Sequence, residues 1–272
     1  MTIFRTWLAR ILVAALAATL SADAVFAQDS FASGAVAYRG AILFDGTGAP
    51  SRPGMTIITR GERIVAVQPD SDPLPVAAET VDVAGLYVLP GLIDTHVHIA
   101  TPPDAAAARV QMRRWVYSGV TAVRSMADDL RSVAELAREA RVGETPSPDI
   151  YYAALMAGEG FFMDPRTQAV SAGEVAGRTP WMQAITTDTD LPLAVAMARG
   201  TSATGIKIYA DLPARLVAGI TAEAHRQGIP VWTHVMVYPA TPQEVIAAGP
   251  DVMSHACLLA HQAQAPADRH GT

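Results

Sequence analysis

The stretch that decides the fold is Pro90-Gly91-Leu92-Ile93-Asp94-Thr95-His96-Val97-His98. A proline–glycine turn is followed by apolar residues, the pattern of a short buried strand. The two histidines stand two apart. Alternate residues of a strand face one side, so both imidazoles point into one space at the strand's C-terminal end. A lone strand histidine is ordinarily a hydrogen-bonded core residue. Two on one face, among apolar neighbours, leave two polar rings to be compensated, and coordination of a metal does this.

Downstream of this stretch the sequence alternates. A helix is expected over 105–117, then the strand Gly119-Val-Thr-Ala-Val-Arg124. Further helices are expected over 132–141, up to Gly200, over 213–227 and over 242–248. Between them lie strands over 149–155, 205–209, 229–234 and 251–255. Strands alternating with helices imply a parallel sheet. A (β/α)8 TIM-type barrel takes eight strands and about 250 residues. Residues 92–272 give about six units, so an incomplete α/β barrel is expected. The competing fold is an open doubly wound sheet. The first strand–helix turn carries no glycine-rich phosphate fingerprint, which favours the barrel.

Upstream, residues 35–83 are short β-branched runs separated by turns such as Asp45-Gly46-Thr47-Gly48 and Gly61-Glu62. They read as hairpins of a small β-rich domain. The organisation expected is a leader over 1–27, a β-sandwich-like domain over 28–91 and the partial barrel over 92–272. The leader has Arg5 and Arg10, an apolar run over 11–20 and Val25-Phe26-Ala27 as a cleavage site, the layout of a secretory signal peptide. The other reading is a membrane anchor. A span needs about 20 apolar residues, and this run is half that. The expectation is therefore a periplasmic or secreted protein, free of the membrane after cleavage.

Composition narrows the classes. Half the residues are hydrophobic and only 17% are charged, which excludes a disordered chain. A net charge of −6 without a Lys/Arg run gives no footprint for nucleic acid. Cys257 is the single cysteine, so no internal disulfide forms, and stability rests on the core, on metal, or on both.

Three more strands carry one polar residue each near their ends: Lys207, His234 and His255. A lysine among apolar neighbours must pair or lose its charge. A neutral lysine can add carbon dioxide and become a carbamate, an anionic ligand with two oxygens. Otherwise Lys207 reaches solvent or pairs with an acid such as Asp211.

These residues carry a family resemblance. The sequence resembles the amidohydrolase superfamily, in particular its exported branch of imidazolonepropionase-like and prolidase-like enzymes. The likeness rests on residues 85–98, on Ser118-Gly-Val-Thr-Ala-Val-Arg124, on Gly205-Ile-Lys207, on Val231-Trp-Thr-His234 and on Ser254-His255. It implies that His96 and His98 bind one divalent metal and that His234 and His255 bind a second. It implies that carbamylated Lys207 bridges the two, and that zinc suits these ligands. It further implies hydrolysis of an amide, lactam or peptide-like C–N bond of a small molecule by a metal-bridged hydroxide. Lys207 and His255 would then serve catalysis as well as metal binding. Members of the family carry an aspartate at the end of the eighth strand that moves the proton. After Asp251 this sequence has one further aspartate, Asp268, in a turn-like tail, and it is not assigned that role. A C-terminally truncated chain is expected.

Two other readings stay open: a mononuclear deaminase of the same superfamily, and a truncated, non-catalytic metal-binding chain. An exposed barrel edge would promote oligomers. His225 is expected on a helix surface, and His261 and His270 in a solvated tail. Tyr152 or Tyr151 is expected in the core. Gly158-Glu159-Gly160 reads as a loop over the site, residues 161–189 as an insertion covering substrate, and Cys257 as a small buried hydrophobe.

Overall fold

The computed structural model describes residues 34–75, 78–101 and 103–263. The leader over 1–27, Asp268 and His270 lie outside them. The chain divides into two compact units between Pro90 and Gly91.

The first unit is a single sheet of five strands: β1 (Ala35–Leu43), β2 (Arg52–Arg60), β3 (Arg63–Pro69), β4 (Glu79–Asp82) and β5 (Tyr87–Val88). Its order is β3-β2-β1-β4, with β5 also pairing β1. β1, β2 and β3 form antiparallel hairpins, whereas β4 and β5 run parallel to β1. Alternation along β1 buries Ala35, Ala37, Ala41 and Leu43, against Met55, Ile57 and Ile58 of β2. Pairing with β2 shifts register after Tyr38, beside Gly40 at φ +81°. A side chain there would stand 2.7 Å from the Ala84 Cα, so only glycine fits this bulge. A second layer of a sandwich is not found among the described residues.

The second unit begins with β6 (Leu92–Val97), α1 (Ala105–Tyr117), β7 (Val120–Met126), α2 (Leu130–Arg141) and β8 (Asp149–Ala157). A 3₁₀ turn (Glu159–Met163), α3 (Pro165–Val170), β9 (Arg178–Thr179) and β10 (Met182–Ala184) follow. Then come α4 (Leu191–Gly200), β11 (Gly205–Ile208), α5 (Ala214–Arg226), β12 (Val231–His234), α6 (Pro242–Ala247), β13 (Val252–Ser254) and a 3₁₀ segment (Ala256–Ala263). Six strands pair in parallel in the order β6-β7-β8-β11-β12-β13. The sheet is nearly closed. The rings of His96, on the first strand, and His255, after the last, lie 4.8 Å apart. The sheet is therefore barrel-like rather than open.

Local chemistry starts the helices. Asp104 accepts hydrogen bonds from Ala106 and Ala107 N–H, and Asp129 from Arg131 N–H. Thr241 and Glu244 form a reciprocal capping box. The Asp129 cap starts α2 at Leu130, two residues before the expected start. Val133, Leu136 and Ala137 of α2 join the core made by Tyr152, Leu155 and Ile206. Tyr151, by contrast, is exposed.

The segment 161–189 has structure of its own. β10 pairs in parallel with the last three residues of β8, Met182 beside Leu155. Two- and three-residue strands carry no readable period, so their existence depends on β8 offering a partner.

Candidate active site

Each histidine of the site sits near or just after the C-terminal end of a strand of the second unit, the end where barrel enzymes place their chemistry. His96 is half-buried near the end of β6, and His98 follows it, exposed. His234 ends β12, and His255 follows β13. The backbone of His255 is left-handed, at φ +62°, a strained conformation that functional sites tolerate. The His96 ring lies 5.5 Å from that of His98. The His234 and His255 rings stack at 4.0 Å. All four histidines expected from the sequence thus meet in one cluster.

Lys207 lies in the middle of β11 with no solvent exposure. Its Nζ has no hydrogen-bond partner. Neither bland alternative holds: it does not reach solvent, and it does not pair with Asp211. The Asp211 carboxylate instead accepts a hydrogen bond from Gly160 N–H at 2.7 Å. The Tyr209 ring, 5.8 Å from Nζ, is a weak partner for the ammonium form. Burial pushes Lys207 down to about 7, with the Arg124 guanidinium adding to the effect.

His96, His234 and His255 are held neutral in the same way. Burial lowers His96 to about 4 and His234 to about 3, with Lys207 the next cause in both. His255 is lowered by burial and then by Lys207. These groups offer lone pairs rather than protons at neutral pH, which a metal requires of its ligands. Among the described residues, no three His, Cys, Asp or Glu side chains are arranged as a ready metal cage. The chemistry of the set nevertheless fits a divalent ion, with neutral imidazoles around a buried, unpartnered amine.

Several residues of the site escaped the sequence reading. Asp128, 1% exposed, accepts hydrogen bonds from Ile99 N–H at 2.7 Å and from the hydroxyls of Thr101 and Ser125. One of its oxygens is 3.9 Å from His98 Nδ1. It fixes the chain that leaves β6 just where His98 projects. An acidic residue soon after a barrel strand was the available signal. Arg124 packs 4.9 Å over the Trp232 ring and donates from Nε to the Thr95 carbonyl. Tyr209 stands 4.6 Å from the His234 ring and 4.4 Å from Phe161.

The remaining candidates have other surroundings. His225 is exposed and pairs with Asp251 at 2.9 Å, tying α5 to the start of β13. His261 lies in the final 3₁₀ segment. Cys257 is exposed, not a buried hydrophobe, because it sits in that segment after the edge strand β13. Among the described residues no helix is long and apolar enough to cross a membrane.

Comparison with known proteins bears on the family and the fold. The imidazolonepropionase of Acidiphilium cryptum (strain JF-5) is 42% identical over 60 residues, 20% of this chain and 15% of that protein. The imidazolonepropionase of Paenarthrobacter aurescens (strain TC1) is 33% identical over 123 residues, 43% of this chain and 29% of that one. A crystal structure of a Xaa-Pro dipeptidase with methionine in its active site aligns with TM-score 0.68 and 21% identity. It covers 82% of this chain and 62% of the dipeptidase. The chain thus spans less than a third of these curated relatives and under two thirds of the solved structure. The amidohydrolase family model matches residues 87–271, well over half of the sequence, and the chain belongs to that family.

Proposed function

We propose that this chain forms the metal-binding and catalytic part of a hydrolase that cleaves a C–N bond of a small amide, lactam or peptide-like molecule. The observation that carries this reading is Lys207: a lysine without solvent exposure, without a hydrogen-bond partner, among imidazoles held neutral. Membership of the amidohydrolase family supports it, since members are generally metal-dependent. His96 and His98 would hold one divalent ion, and His234 and His255 a second, with zinc the ion these nitrogen donors suit. When bound, such ions polarise a carbonyl and make water acidic enough to attack it at neutral pH.

Lys207, as a carbamate, would offer its two oxygens to the ions. Its neutral amine attacks carbon dioxide, forming an N–C bond and releasing one proton. The product is a carbamate with one negative charge and two oxygens. The burial that strips the lysine of its proton prepares it for this step. His255, in its strained backbone, is placed to serve both metal binding and catalysis. Asp128 keeps the residues around His98 in place. The leader over 1–27 supports export, so we place the reaction in the periplasm or outside the cell.

The test is metal content beside turnover. Lys207→Ala should lose about one zinc per chain and most hydrolysis of dipeptides or lactams. A variant that keeps both metals and the full rate overturns the carbamate. Wild-type chain that binds zinc and cleaves none of these substrates overturns the hydrolytic reading in favour of a metal-binding chain.

A further inference from the structure

We propose that the cavity beside His98 is a binding subsite for an uncharged, apolar group about the size of a benzene ring. We further propose that the amide cleaved here carries such a group next to the scissile bond. The second statement rests on the hydrolytic reading above; the first does not.

The cavity measures about 140 Å³. Leu155, Val170 and Met182, buried core residues, line it together with the rings of Phe161 and Tyr209. An enclosed cavity of about 150 Å³ lined by Leu, Ile and Phe takes up benzene, and the apolar part of this wall offers a similar surface at a similar size. Size and lining therefore agree on the same guest.

The polar groups on the wall point to the same conclusion. Thr101 gives its hydroxyl to Asp128. Thr167 gives its own to the backbone carbonyls of Asp164, at 2.6 Å, and Phe162. The Arg166 guanidinium is held by both oxygens of Asp164. Each is already engaged within the protein. A carboxylate or hydroxyl entering the cavity would compete with Asp128 for Thr101 and with Asp164 for Arg166, which lowers what it gains there. An apolar guest competes for neither. The Arg166–Asp164 pair adds up to no net charge, so it does not by itself select an ion. His98 shares the wall, which puts the guest beside the reacting bond.

The test uses toluene and benzoate as probes of the full chain, read by the methyl resonance of isotope-labelled Met182. Toluene should shift that resonance, with benzoate weaker by about tenfold or more. Val170→Phe, which fills the cavity, should weaken toluene by about tenfold. If that variant fails to fold, Phe161→Ala serves instead: it enlarges the cavity and should admit naphthalene, which the wild type rejects. Benzoate binding as tightly as toluene overturns the proposal, because Arg166 would then be a carboxylate clamp. So does the absence of any Met182 shift. On the zinc-loaded chain, phenylacetamide should exceed acetamide in kcat/KM by about tenfold or more. Equal rates overturn the placement of the group beside the scissile bond. Toluene bound at Met182 with neither amide cleaved upholds the cavity and counts against the hydrolytic reading alone.

Discussion

The residues of the cluster have opposite demands on protons in the folded and unfolded chain. His96 and His234 titrate near 4 and 3 when folded, against 6.5 for a free imidazole. Between those values the unfolded state binds more protons. The contribution of these two histidines to the stability of metal-free protein is therefore intact above pH 6.5 and falls on acidification towards pH 4. Denaturation midpoints across that range should show the loss, and replacing both histidines by asparagine should flatten it. Lys207 follows the same sign in a higher window. It titrates near 7 folded and 10.5 unfolded, so stability is lost as pH falls from 10.5 to about 7. Lys207→Met should consequently be more stable than wild type at neutral pH without metal, by up to roughly 3–5 kcal/mol, while losing metal bridging. Asp128 has the converse role. Asp128→Ala strands one N–H and two hydroxyls and should cost about 2–4 kcal/mol in chemical denaturation. Asp128→Asn should lose less stability and yet weaken zinc by roughly 10–100-fold in competition titrations. The histidines were legible because a period of two reports strand faces directly. Asp128 was not, because its partners Ile99 and Thr101 are 29 and 27 residues away in sequence.

At the scale of elements, the loops that shape the site are seated by glycines. A side chain at Gly158 would fall 1.7 Å from the Asp211 carbonyl oxygen, and one at Gly160 would fall 2.7 Å from the carboxylate. The turn after β8 and the turn after β11 can touch only because both positions lack a Cβ. Gly158→Ala should force them apart, cost about 1–3 kcal/mol, and raise KM more than it lowers kcat, since Phe161 moves with the turn. Unchanged denaturation and kinetics would refute that seating. The six strands of the parallel sheet were legible, because each is a short apolar run and helical patterns lie between them. The sequence showed residues 158–160 as a loop but not what holds it. Nor did it show β9 and β10, which borrow their pairing from β8. Cys257 was misjudged for a related reason: residue type suggested burial, whereas position beyond an edge strand decided exposure.

At the scale of the whole molecule, β6 and β13 are each hydrogen-bonded on one side only among the described residues. β6 also leaves Leu92 and Ile93 more than half exposed. Unpaired, apolar strand edges invite pairing with another chain. Light scattering of this chain should rise with concentration, and Ile93→Lys should suppress the rise while circular dichroism stays that of the wild type. The barrel class was readable from the strand–helix alternation together with the missing glycine-rich fingerprint. The near closure was not, because it depends on His96 and His255 meeting across 159 positions of sequence, a distance no local pattern reports. The exposed Cys257 has a practical consequence. It is the single thiol of the chain and lies two residues from His255. A maleimide dye will attach at one place only, beside the cluster, so its fluorescence becomes an optical gauge of metal arrival that needs no substrate.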